Sequence, residues 1–265
     1  MRLPEPSGIV TLLTDFGLDD HYVGVMKGVI LRICPATRII DVTHGVRQYS
    51  VPQGAFYLDQ AHRYFPEGTV HVGVVDPGVG GPRRALAAEV GGHFFIAPDN
   101  GLLSRALERA PEAEIREIDA EHWGLKPMSH TFHGRDLFSP AAGWLAAGKP
   151  FREMGDSVDD AVRLWPAEPR RHGPNQWRGV VLNIDRFGNI VTSFAPEALN
   201  GSAFRFRIGT IDTRHLVESY EQAQDSTPSM IVGSSGYLEM SIRQGSAADK
   251  AGAEIGDEVE LTLED

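Results

Sequence analysis

The sequence predicts an α/β protein: an N-terminal domain with a largely parallel sheet flanked by helices, then a smaller, mainly β C-terminal domain. Three observations carry this. Short β-branched runs alternate with helical periods in the first part of the chain. Beyond Asn175 the segments are short and strand-like, with no helical period longer than two turns. Between them, 165–175 (WPAEPRRHGPN) is rich in proline and charge, the texture of a linker. The expected boundaries are 8–165 for the α/β domain, 166–176 for the linker and 177–265 for the β domain.

The elements follow in order. Residues 9–14 (IVTLLT) read as a buried strand, broken by Asp15-Phe16-Gly17. Val23, Met26, Ile30 and Ile33 recur at helical spacing, which predicts a helix over 21–33 that Pro35 ends. A second strand at 38–42 (RIIDV) precedes a helix over 54–64, closed by Pro66. A third strand, 70–75 (VHVGVV), stops at Asp76-Pro77-Gly78. Strands at 85–90 and 94–97 and helices at 102–108 and 137–147 complete the first domain. The second holds strands at 179–184, 190–194, 204–208, 238–242 and 258–263.

With 265 residues, 42% hydrophobic and 23% charged, the chain has the composition of a globular protein. A formal net charge of −11 gives no basic footprint for nucleic acid. The single cysteine, Cys34, permits no intrachain disulfide and fits a reducing cytoplasm. The N-terminus has no apolar signal core, and the run at 9–13 is too short to span a bilayer. The expectation is a cytoplasmic protein without a membrane partner.

In open α/β sheets ligands sit beyond the carboxyl ends of the strands. Asp15 follows the first strand, with Asp19, Asp20 and His21 close behind, and Asp76 follows the third in the turn DPGVGG. Turn formation and helix capping account for Asp19; Asp15 and Asp76 together, at neighbouring strand ends, point to function. Of Arg83 and Arg84, one is expected to be surface solvation. His133 precedes a glycine before a helix, which suits a catalytic loop and a structural histidine equally, and Asp136 is expected to be that helix's N-cap. Asp185 to Asn189 (DRFGN) and 233–237 (GSSGY) read as turns. Asp15, Asp20, His21, Asp76 and His133 could instead bind divalent metals, but no H-E-x-x-H spacing and no Walker-type loop is present.

Seven motifs in order are more specific: TDFGLDDHYVGVMKG (14–28), DVTHG (41–45), VVDPGVGGPRR (74–84), IAPDNGLL (96–103), TFHGRDLFSP (131–140), DRFGN (185–189) and GYLE (236–239). Together they resemble the S-adenosyl-L-methionine hydrolase, or hydroxide adenosyltransferase, family, related to the fluorinase and chlorinase. The resemblance implies a C-terminal domain that is barrel-like and a homotrimer with sites at subunit interfaces. It implies hydrolysis of S-adenosyl-L-methionine to adenosine and methionine, with that molecule as substrate and no cofactor or metal. The water-activating triad it implies is Asp76, Arg83 and His133. In the halogenases tyrosines replace the aspartate and histidine, and an insertion precedes the strand leading to IAPNNG; here 89–95 is short.

For the substrate, the resemblance places Asp15 at the ribose hydroxyls, with Asp20 nearby, and Tyr49 where a halogenase has a stacking tryptophan. Asn189 matches an adenine-reading asparagine and Phe187 a flanking aromatic. Asp185 matches an aspartate near the methionine amino group, Ser234 a serine at the methionine end, and Glu239 a glutamate seen in hydrolases. Ser235 departs from the halogenases' arginine, and Arg243 stands where asparagine is common. The competing readings are a halogenase and a non-catalytic binder of adenosine or S-adenosyl-L-methionine.

Overall fold

The computed structural model describes residues 3–126, 128–164 and 168–264. The chain divides into two compact units, Met1–Leu164 and Trp165–Asp265. The first carries a six-stranded sheet of β1 (Ile9–Thr14), β2 (Arg38–Thr43), β3 (Val70–Val74), β4 (Ala85–Val90), β5 (His93–Pro98) and β6 (Glu114–Glu117), in the order β2-β1-β3-β5-β4-β6. Strands β2, β1, β3 and β5 run parallel, and β4 is antiparallel to both its neighbours.

The helices are α1 (Tyr22–Ile33), α2 (Val51–His62), α3 (Ser104–Arg109), α4 (Ala120–Trp123) and α5 (Ser139–Ala146). The two-residue period of the strands sorts their side chains. Val10, Leu12, Val70, Val72, Phe94 and Ile96 pack with Met26 and Ile30 of α1 and Ala141 and Leu145 of α5. Leu13, Val75, Phe95 and Ala97 pack with Ala55 and Leu58 of α2 and Leu107 of α3. Both faces are covered, which is why these strands read as continuous apolar runs rather than alternating ones.

Three expectations shift. Helix α2 starts at Val51, three residues early, because Pro52 sits in the first turn, where no backbone N–H is needed. The 137–147 helix begins as a π-helical turn, Gly134–Phe138, which continues into α5. Asp136 is not an N-cap: it lies inside that turn, accepts from the Ser129 N–H at 2.8 Å and pairs with Arg135.

The second unit is built on nine strands: β7 (Arg170–Gly173), β8 (Gln176–Ile184), β9 (Ile190–Thr192), β10 (Ala203–Ile208), β11 (Ile211–Thr213), β12 (Leu216–Val217), β13 (Pro228–Val232), β14 (Leu238–Ile242) and β15 (Glu258–Glu264). The path β11-β10-β15-β8-β9-β14-β13-β12 curls into a half-barrel, with β7 added beside β8. All pairs are antiparallel except β12 with β13. Phe204, Phe206 and Ile208 of β10 turn inward while Arg205 and Arg207 face water, the alternation of a sheet with one wet face. Residues 166 and 167 of the expected linker lie outside the described residues. Arg170–Gly173 within it form an exposed strand, so its proline and charge mark a sheet edge as much as a connection. Among the described residues, no helix is long and apolar enough to cross a membrane.

Candidate active site

Thr14 of β1 lies opposite Val74 of β3, so Asp15 and Asp76 leave neighbouring parallel strands at their carboxyl ends. The Asp15 carboxylate accepts from the Tyr49 N–H at 2.9 Å. Tyr49 is held in the left-handed region, φ 65°, and is 70% exposed. A bulky residue there is strained, and such strain persists where the surroundings impose it. Asp20 is exposed just ahead of α1.

Asp76, Arg83 and His133 meet. Arg83 Nε reaches both Asp76 oxygens at 3.1 and 3.2 Å, and one terminal nitrogen reaches Asp76 at 2.5 Å. The same nitrogen donates to His133 Nδ1 at 2.7 Å. A guanidinium only donates, so Nδ1 accepts and the neutral ring carries its proton on Nε2. Burial, and then the Arg83 charge, hold the His133 pKa below the ordinary histidine range. The Arg83 guanidinium also lies over the Phe138 ring, 5.3 Å from its centroid, which limits its freedom.

Two devices bring these loops together. Phe16 after β1, Tyr22 of α1 and Phe132 beside His133 form edge-on pairs at 5.0 to 6.2 Å. Gly80, φ 77°, lets the DPGVGG loop approach the His130 carbonyl so closely that a Cβ would collide with it. His133 itself stands at the start of the π-helical turn, a distortion that recurs at functional sites.

In the second unit a cavity of about 930 Å³ is lined by Asp185, Phe187, Asn189, Tyr220, Ser234 and Arg243, among others. The DRFGN segment is the hairpin turn between β8 and β9, and the GSSGY segment the turn between β13 and β14. Asp185 organises its own turn. One carboxylate oxygen accepts from the Phe187 and Asn189 N–H groups at 2.8 and 2.9 Å, the other from the Asn189 side-chain amide at 2.9 Å. Asn189 is thereby buried and oriented, while Phe187 stands 76% exposed. Glu239 on β14 is buried and accepts from the Tyr220 hydroxyl.

Sequence reasoning missed Tyr220, which lies in the irregular stretch 218–227 and carries no motif. Arg84 is not the surface arginine expected: it ties Asp99, beyond β5, to Asp160 at 2.6 Å each. Asp15, Asp20, His21, Asp76 and His133, the alternative metal ligands, make no group of three or more placed to hold a metal among the described residues.

A model of the SAM hydroxide adenosyltransferase N-terminal domain matches residues 10–155, and one of the C-terminal domain matches 179–260. The chain belongs to this family. It is 35% identical over 263 residues to the (R)-S-adenosyl-L-methionine hydrolase of Salinispora tropica, covering 97% of this chain and 98% of that one. A fluorinase of Actinoplanes sp. is more distant, 28% identical over 265 residues, covering 87% and 89%. The crystal structure of an uncharacterized conserved protein from Thermotoga maritima superposes with a TM-score of 0.88 at 34% identity, covering 96% of this chain and 99% of that one. In this chain β4 and β5 are joined by Gly91-Gly92 alone, both at positive φ, so the short 89–95 segment is a tight turn.

Proposed function

We propose that the protein hydrolyses S-adenosyl-L-methionine to adenosine and methionine by attack of an activated water at ribose C5′. The observation that carries this is Arg83 bridging Asp76 and His133 on two converging loops, in a chain of this family. The water oxygen forms a bond to C5′ as the C5′–S bond breaks. The bonding pair goes to sulfur, which leaves as a neutral thioether and needs no general acid. What the protein supplies is alignment behind C5′ and a destination for the water's proton. Arg83 stabilises the developing hydroxide charge, and the proton passes to the network in which Asp76 and His133 are the acceptors. Such base assistance contributes about 10²–10⁴-fold.

In the same reading Asn189 pairs with the adenine edge, Phe187 and Tyr49 flank the base, and Asp15, with Asp20, faces the ribose. Asp185, Ser234 and Glu239 serve the methionine end. The resemblance further supports a homotrimer whose substrate sites are shared between neighbouring copies, in the cytoplasm, with no metal or other cofactor.

The test is product analysis. Purified protein incubated with S-adenosyl-L-methionine is expected to release adenosine and methionine in equal amounts, unaffected by a chelator. A 5′-halogenated adenosine formed in the presence of halide would replace the hydrolase with a halogenase. Binding without any product would leave a passive binder.

A further inference from the structure

The DVTHG segment holds no residue that the proposed chemistry uses, yet its histidine is built into the turn that carries Asp15. His44 follows β2, beside the end of β1, and is buried. Its Nδ1 lies 2.8 Å from the hydroxyl of Thr14, itself fully buried, and that hydroxyl also accepts from the Phe16 N–H at 3.2 Å. Asp15 is therefore bracketed: the residues before and after it share one hydroxyl, and His44 holds that hydroxyl. The His44 carbonyl accepts from the Gly17 N–H at 2.8 Å, which closes the same turn from the backbone. A hydroxyl has a single proton to give. With Phe16 donating to it, Thr14 gives that proton to Nδ1, which leaves the ring's Nε2–H directed at Asp41, 3.0 Å away though out of line for a full hydrogen bond. Asp41 is paired in turn with Lys27 of α1 at 2.6 Å.

What this fastening delivers is one carboxylate oxygen. Asp15 accepts from the Tyr49 N–H on one oxygen, and the other has no partner among the described residues. A carboxylate fixed on one side and free on the other accepts from an arriving hydroxyl without reorganising, provided its neighbours are themselves locked by hydrogen bonds. Building on the proposed function, in which Asp15 faces the ribose, we infer that His44 is a positioning residue: through the Thr14 hydroxyl it aims the Asp15 carboxylate, and it thereby sets how strongly the enzyme prefers a nucleoside that carries the ribose hydroxyls. Asp41 and Lys27 anchor the ring from its far side. Arg83 and His133 lie on other loops, so the effect belongs to ribose recognition rather than to activation of the water.

The experiment compares two nucleosides by calorimetry: adenosine, and 2′,3′-dideoxyadenosine, which lacks both ribose hydroxyls. The wild type is expected to prefer adenosine. Thr14→Val, which keeps the branched shape and removes the hydroxyl, is expected to bind adenosine about tenfold more weakly, as for a misaimed charged hydrogen bond, with dideoxyadenosine near wild type. His44→Leu is expected to shrink the preference in the same way. His44→Asn, whose amide can stand where Nδ1 stands, is expected to recover most of it. If Thr14→Val and His44→Leu weaken both nucleosides alike, or His44→Asn recovers nothing, the network is merely structural and the inference fails. If all three variants bind both nucleosides as the wild type does, the inference fails and the reading of Asp15 stands. A wild type that binds the two equally removes Asp15 from the ribose, and the inference with it. A wild type that binds neither removes the proposed function as well.

Discussion

Arg83 lies between Asp76 and His133, so no member of the three can be removed without changing the hydrogen bonds of another. Residues that act on one water as a unit have non-additive effects. His133→Ala, Arg83→Ala and Asp76→Ala are each expected to lower kcat by about 10²-fold or more, in keeping with the loss of base assistance. Adenosine affinity should stay near wild type. The Arg83→Ala/His133→Ala double variant is expected to be little worse than the poorer single. Losses that multiply, or near-normal turnover in the singles, would remove the shared-water mechanism; kcat and adenosine affinity measured on the same preparations decide it. A lowered His133 pKa also sets the sign of the pH dependence. His133 can accept the Arg83 N–H only while its ring is neutral, and protonation would break that bond, so kcat should rise with pH and level off below the ordinary histidine value near 6.5. The three residues are legible in the sequence because each sits in a motif. Their order in space, with the arginine in the middle, is not, because it depends on side-chain direction across two loops. Asp185 is instructive in the same way: its motif does not reveal that its side chain also orders its own hairpin.

Loops decide whether those side chains meet, and glycines decide whether the loops can approach. Gly80 is at φ 77° with the His130 carbonyl where its Cβ would be, while Gly91 is at φ 57° with nothing within 4 Å. Alanine at either position carries the left-handed penalty of roughly 1–2 kcal/mol. Only at Gly80 must backbone also move, drawing the Arg83 loop away from the segment that ends at His133. Gly80→Ala is therefore expected to lose both stability and kcat, and Gly91→Ala stability alone; equal kcat in the two would show that the close approach does not matter for turnover. Of the regular elements, β1 to β5 and α1 were legible because hydrophobic period, β-branching and proline stops agree. The strands missed had weaker signals. β12 has two residues, β13 opens on Pro228, and β6 is a four-residue strand carrying three charges. The π-helical turn could not be told from an α-helix over only five residues.

At the scale of the molecule, each unit buries its own apolar clusters, two in the first and one in the second among the described residues. The first unit's core also contains polar groups that couple its stability to pH. His62 of α2, His71 of β3 and His93 of β5 pack ring against ring, with centroids 5.2 to 6.1 Å apart, beside Phe65 and Phe95. His71 joins Thr11 at 2.8 Å and His93 at 3.3 Å. Burial lowers all three pKa values, that of His71 to about 2, against the attraction of Asp59 for His62 and of Glu67 for His93; Arg63 pushes His62 further down. The folded state thus binds fewer protons than the unfolded chain below pH 6.5. Stability is fully present above that pH and falls as pH drops, by on the order of 1 kcal/mol per pH unit for each proton not taken up. Carboxylates held low by arginines, such as Glu114 beside Arg152, contribute with the same sign but at lower pH, around the ordinary carboxylate range. The window from pH 6.5 to 5 therefore separates the histidines from those carboxylates. Urea unfolding across that window is expected to show a steep loss in the wild type and a shallower one in His71→Gln, which keeps a polar partner for Thr11. Equal slopes in the two proteins would show that protonation of this cluster does not limit the stability of the first unit.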